Sequence, residues 1–132
     1  MILSLALALA AQEPQLDCDN AMSQMEMNAC AGQDFEAVDA ELNRIWPGLI
    51  AHAREMDREI DRRYDQRPGY EEVLRDAQRA WVTFRDAECT WSAYGEARGG
   101  SMESMSYNAC RADLTRQRIR QLTGADQPQP EQ

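Results

Sequence analysis

One segment, Ala77-Gln78-Arg79-Ala80-Trp81-Val82-Thr83-Phe84-Arg85-Asp86-Ala87-Glu88-Cys89, constrains this chain more than any other. It is an amphipathic helical stretch that ends on a cysteine and is answered by Cys110 beyond a glycine-rich run. Upstream, Glu26-Met27-Asn28-Ala29-Cys30 repeats the arrangement, with Cys18 as its candidate partner. Four cysteines allow three connectivities. Local pairing, Cys18 with Cys30 and Cys89 with Cys110, is the favoured one. Each bridge would close a short loop and constrain the unfolded chain by roughly 3 kcal/mol. Zinc is a poor alternative use of these thiols, because there is no C-x-x-C pair and the single histidine, His52, is distant in sequence.

These residues resemble the lysozyme inhibitor LprI N-terminal family, a domain-of-unknown-function family of secreted bacterial proteins. The resemblance takes in Ala40-Glu41-Leu42-Asn43, Gly99-Gly100-Ser101, and Cys110 followed by Leu114-Thr115-Arg116-Gln117-Arg118. It runs from Asp17 to about Leu122. It implies a secreted protein that inhibits lysozyme by binding it.

At 132 residues the chain is long enough for one modest core. Residues 1–11 are an apolar run with small residues at Ala8 and Ala10, the pattern of a secretory signal, and too short to span a bilayer. The usual basic opening of such a signal is missing, as expected if translation starts further upstream. Asp17 stands where lipid attachment at Cys18 would need a small residue, so soluble periplasmic export is expected. Residues 12–124 then form the folded domain, and residues 125–132, polar and proline-containing, form a disordered tail. A net charge of −9 makes nucleic acid and anionic membranes poor partners and favours a basic protein, with no membrane insertion.

The fold class expected is all-α. Ser23 followed by Glu26 reads as a capping box that opens the first helix. Phe35, Val38, Leu42, Ile45, Leu49, Ala53, Met56 and Ile60 continue one apolar stripe through Pro47, which predicts a long helix kinked there and broken at Arg67-Pro68-Gly69. A second helix from about Tyr70 carries Val73, Ala77, Ala80, Phe84 and Ala87 as its apolar stripe, with Leu74 and Trp81 beside it. A last helix from about Met102 to Leu122 carries Met105, Cys110, Leu114, Ile119 and Leu122 and stops at Gly124. No strand pattern, internal repeat or heptad array stands out. The whole predicts a small disulfide-stapled antiparallel bundle of three to four helices.

Trp81, Arg85 and Cys89 share one helical line, so the Arg85 guanidinium can cover the Trp81 ring. Asp86 and Glu88 are candidates to pair with Arg111 or Arg118 of the last helix. A packing role is therefore expected for Trp81, Phe84, Arg85 and Asp86. His52 has no nucleophile or orienting carboxylate at a characteristic spacing, so no catalytic residue is assigned and no cofactor is implied. The methionines Met22, Met25 and Met27, with Met102 and Met105, suggest a minor reading as soft Cu(I) ligands. The main binding candidate is the loop at residues 95–101, in which Glu96, Arg98, Gly99, Gly100 and Ser101 would be held at the base by a Cys89–Cys110 bridge. Arg98 and Ser101 would offer donors to the catalytic carboxylates of a lysozyme. The alternative is a periplasmic interaction module with an endogenous partner.

Overall fold

The computed structural model describes residues 15–126. The expected leader and most of the expected tail lie outside them. A 3-10 turn at Cys18–Asn20 precedes three helices: α1 (Gln24–Arg58), α2 (Tyr70–Ala97) and α3 (Glu103–Thr123). They run up, down and up, and α3 packs against both of the others. Both disulfides are the local ones, Cys18–Cys30 and Cys89–Cys110, with Cα separations of 5.6 and 5.5 Å. The first ties the lead to α1, and the second ties α2 to α3.

The start of α1 follows the sequence closely. Ser23 Oγ accepts from the Glu26 N–H at 3.1 Å, while Glu26 Oε2 accepts from the Ser23 and Met22 N–H groups at 2.9 and 3.0 Å. The helix then passes through Pro47 without ending. It stops at Arg58, well before the expected break at Arg67-Pro68-Gly69. The cause lies in the next helix. Asp57 supplies the cap that Gly69 cannot: the Tyr70 N–H donates to Oδ1 at 2.6 Å and the Glu71 N–H to Oδ2 at 3.2 Å. A Cβ on Gly69 would stand 2.5 Å from that Oδ1, so glycine permits the close approach. Between the helices, Asp61 and Asp65 each accept from a backbone N–H two residues on, at Arg63 and Arg67, closing local turns instead of helix.

The apolar stripe of α1 meets the core as expected, with Val38, Leu42 and Ala53 buried and Ile50 joining them. On α2 the expected face is wrong by about a third of a turn. Val73, Ala77, Ala80, Phe84 and Ala87 are all exposed, Phe84 by 55 %. The inward line is Leu74, Gln78, Trp81, Arg85, Cys89 and Ala93. Polarity misleads because the core itself contains arginines. Arg85 is only 6 % exposed and sits between two rings, with its Cζ 5.2 Å from the Trp81 centroid and 5.0 Å from that of Phe35. Arg111 covers Phe35 and Tyr107, and Arg118 approaches Trp81 at 5.8 Å. The result is a stack of alternating guanidinium groups and rings that crosses all three helices. Such contacts contribute about 0.5–2 kcal/mol each, more where water is excluded.

The expected ion pairs across α2 and α3 give way to this stack. Asp86 takes the Arg85 Nε at 2.9 Å within α2, while Arg118 donates to the Gln78 side chain at 3.0 Å and Arg111 to Asn108 at 2.6 Å. Arg85 Nη1 also reaches Asp39 of α1 at 3.4 Å and lies 3.5 Å from the fully buried Thr115 hydroxyl of α3. One side chain therefore links all three helices.

Candidate functional site

The end of the bundle where α2 passes into α3 collects most of the expected binding residues. Because α2 continues to Ala97, Glu96 lies on its last exposed turn and the connecting loop is only residues 98–102. Gly99 has a φ of +75°, a left-handed conformation that favours glycine, and the Gly100 N–H turns back to donate to the Ala97 carbonyl at 2.7 Å. The loop is tied down from three sides. The Cys89–Cys110 bridge holds its two helices together beneath it, Asn28 of α1 donates its side-chain N–H to the Ser101 carbonyl at 2.9 Å, and the Glu103 carboxylate accepts from the Gly99 N–H.

Arg98 is exposed, and its guanidinium lies over the Tyr94 ring, 4.7 Å from the centroid. The same Tyr94 ring helps line a cleft of ≈ 480 Å³ with Thr90, Ser101, Glu103 and Tyr107. Gly99 and Gly100 also line it. Of the loop residues named from sequence, Gly99, Gly100 and Ser101 line this cleft, Arg98 stacks on one of its lining rings, and Glu96 lies apart on the last turn of α2. Tyr94, Tyr107, Glu103 and Asn28 were not anticipated. The four-residue spacing from Tyr94 to Arg98 was the available signal for the first of them, since it places ring and charge on one helical line.

Other candidates lie elsewhere. Trp81, Arg85 and Asp86 belong to the core stack, whereas Phe84 points away from it. His52 is exposed beside Leu49, Met56 and Leu122. The two methionine groups share the α1/α3 end, where Gln24 donates to the Met105 sulfur at 3.7 Å, and Met22 and Met25 are exposed. Among the described residues no group of three or more His, Cys, Asp or Glu side chains is placed to hold a metal ion. No described helix is long and apolar enough to cross a membrane.

The model of the family described as lysozyme inhibitor LprI matches residues 18–122, from the first disulfide to the end of α3. The chain belongs to the LprI family. It is also 46 % identical over 115 residues to an uncharacterized protein of Rhizobium meliloti (strain 1021), an alignment that covers 85 % of this chain and 80 % of that protein. No solved structure matches it. The matched span of this LprI-family chain includes both disulfides, the guanidinium–ring stack and the whole α2–α3 loop.

Proposed function

We propose that this protein is exported to the periplasm, where it binds and inhibits a lysozyme through the α2–α3 loop, acting as a binding protein and not as an enzyme. Membership of the family supports the target class. The observation that carries the site is the triple anchoring of residues 98–102, a rigid base on which Arg98, resting on Tyr94, and Ser101 are both exposed. A loop ordered before it binds loses little conformational entropy on association, so more of its contact energy appears as affinity. Lysozyme clefts carry two carboxylates, and a preorganised guanidinium is suited to meet one. The acidic body, at net charge −9, favours approach to a basic enzyme.

Inhibition assays with purified protein and a panel of lysozymes test this reading. Removing one member of a desolvated charge pair costs about 2–5 kcal/mol, so Arg98→Ala should weaken inhibition at least about tenfold while helicity and Tm hold. Equal inhibition by Arg98→Ala would move the binding face away from the loop. Failure of the unaltered protein to inhibit any lysozyme would remove the target, leaving an interaction module for another periplasmic partner.

A further inference from the structure

The face of α2 that misses the core has a pattern of its own. Val73, Ala77, Ala80, Phe84, Ala87, Trp91 and Tyr94 follow one another at alternating spacings of four and three, and all are exposed, Trp91 by 77 %. This is the spacing of a coiled-coil seam, on the outside of the bundle and not in its core. It runs nearly the full length of a 28-residue helix; Val73 and Ala77 border a cleft shared with α1 and α3 and Tyr94 carries the Arg98 guanidinium, while Phe84 and Trp91 between them stand 55 % and 77 % exposed. We propose that a second copy of this chain covers it, forming a two-fold symmetric, antiparallel pairing of α2 with α2. The proposal does not rest on lysozyme binding, but the two contacts meet at Tyr94, which carries Arg98, so they should compete at that end of α2.

Size complementarity selects this occupant and this direction. In an antiparallel coil each seam residue packs beside a residue of the other type on the partner helix. When the numbers of opposed residues sum to 171, Ala77 faces Tyr94, Ala80 faces Trp91 and Ala87 faces Phe84, with every layer repeated by symmetry. Each large ring meets an alanine. A parallel pairing would instead stack ring on ring and alanine on alanine, leaving alternate crowding and gaps. The flanking positions agree: Asp76 falls opposite Ala97, Glu88 opposite Trp81 and Thr83 opposite Thr90, so no like charges meet across the seam.

Area supports the same conclusion. Phe84 at 55 %, Trp91 at 77 %, Tyr94 at 44 % and Val73 at 54 % exposure, with the three alanines, offer roughly 600 Å² per copy if an aromatic side chain presents about 200 Å². Two copies bury about 1,200 Å², the lower edge of a stable specific interface. At its Tyr70 end the seam opens on an apolar cleft of ≈ 380 Å³ lined by Leu49, Met56, Val73, Ala77 and Leu122, level with the partner's Tyr94 in this register. Since both copies are acidic, salt should strengthen this pairing by screening their repulsion.

Sedimentation equilibrium from about 1 to 200 µM at low and high salt tests the proposal. The expected result is a monomer–dimer equilibrium that tightens with salt. Phe84→Glu should raise the dimer Kd by at least about tenfold with helicity and Tm intact, because Phe84 is not part of the core. A mixture of Thr83→Cys and Thr90→Cys proteins, oxidised together, should give the mixed cross-link in preference to either self-cross-link. A protein monomeric throughout would overturn the proposal. Self-cross-links only would overturn the antiparallel register. Acrylamide quenching of Trp91, read against Trp91→Phe, names the other occupants. Shielding in a monomer would assign the seam to residues of the same chain outside 15–126, and shielding only on addition of lysozyme would assign it to that enzyme; either result overturns the dimer.

Discussion

The guanidinium of Arg85 on α2 lies against the ring of Phe35 on α1, 5.0 Å from its centre. Trp81 closes the other side, and Asp39 and Thr115 receive the outer edge. A small all-helical chain has few apolar side chains large enough to fill the space between three long helices, and here planar arginines fill it. Their flat faces pack like aromatic groups while most of their edge nitrogens keep polar partners, the buried Arg111 Nε being left without one. The same geometry explains why Arg85 tolerates burial: its Nε and Nη1 both have acidic partners that remain partly open to water.

Arg85→Ala should therefore lower stability by about 2–4 kcal/mol, since it removes packing on two rings and leaves Asp39 without its partner. Arg85→Lys should recover only part of this, because an ammonium group cannot stack as a plane. Asp39→Asn, at a half-exposed position, should cost about 1 kcal/mol or less. Urea unfolding monitored by circular dichroism measures all three.

The two disulfides should differ in weight. Cys89 is fully buried between α2 and α3, and its bridge spans 21 residues, whereas Cys18 sits in a short lead outside the bundle and its bridge spans 12. Replacing Cys89 and Cys110 together by serine should cost about 3 kcal/mol or more, combining the lost cross-link with buried hydroxyls. Replacing Cys18 and Cys30 should cost less and leave the melting of the helices largely intact, with the loss confined to residues 15–23. Thermal melts of the two double variants decide between them, and equal losses would contradict this division.

What the sequence disclosed and what it hid divide along the range of the interactions. The Ser23–Glu26 box, the local disulfides, passage through Pro47 and the left-handed Gly124 cap all depend on neighbours within a turn or a short loop, so spacing alone reveals them. The end of α1 at Arg58 depends on Asp57 capping a helix that starts thirteen residues later, and no local propensity carries that. The inward face of α2 was recoverable. Once Cys89 is assigned to a bridge with α3, its helical neighbours Trp81 and Arg85 must face inward with it, and Phe84 must turn away. An apolar pattern points to the opposite face because it cannot register a core built on arginine. The α2–α3 loop is legible from its glycines, but its contacts with Tyr94 and Asn28 are not, since both depend on tertiary placement.

Acid should loosen α1 at its start before it releases the Asp65–Arg67 turn. Hydrogen bonds from the Ser23 and Met22 N–H groups, then the Ser23 side chain, hold Glu26 below its ordinary 4.5. The cap it forms is therefore fully present above pH 4.5 and is lost as pH falls through the lower folded-state value. Asp65, pulled from 3.8 to about 2 by hydrogen bonds from the Arg67 side chain and backbone, keeps its charge and its turn further into acid. Amide shifts of Met22, Ser23 and Arg67 followed by NMR between neutral pH and about 2 should show this order. Glu26→Gln should flatten the first two profiles.

Charge distinguishes the proposed lysozyme contact from self-association. A body of net charge −9 approaching a basic enzyme is drawn in by long-range attraction, which is screened beyond about 8 Å at physiological ionic strength. Raising salt should thus slow the association with lysozyme while leaving the dissociation rate nearly constant, because the proposed Arg98 contact is short-range and buried in the complex. Removing one acidic charge remote from the loop, as in Glu59→Gln, should reduce the association rate modestly and leave the dissociation rate unchanged. The α2 seam should respond in the opposite sense, since screening relieves repulsion between two acidic copies and their contact is apolar. Surface-immobilised lysozyme with Phe84→Glu protein, kept monomeric, gives the association series free of dimer. An association rate that is flat across salt would mean that charge does not guide this protein to the enzyme, and the acidic surface would then need another explanation.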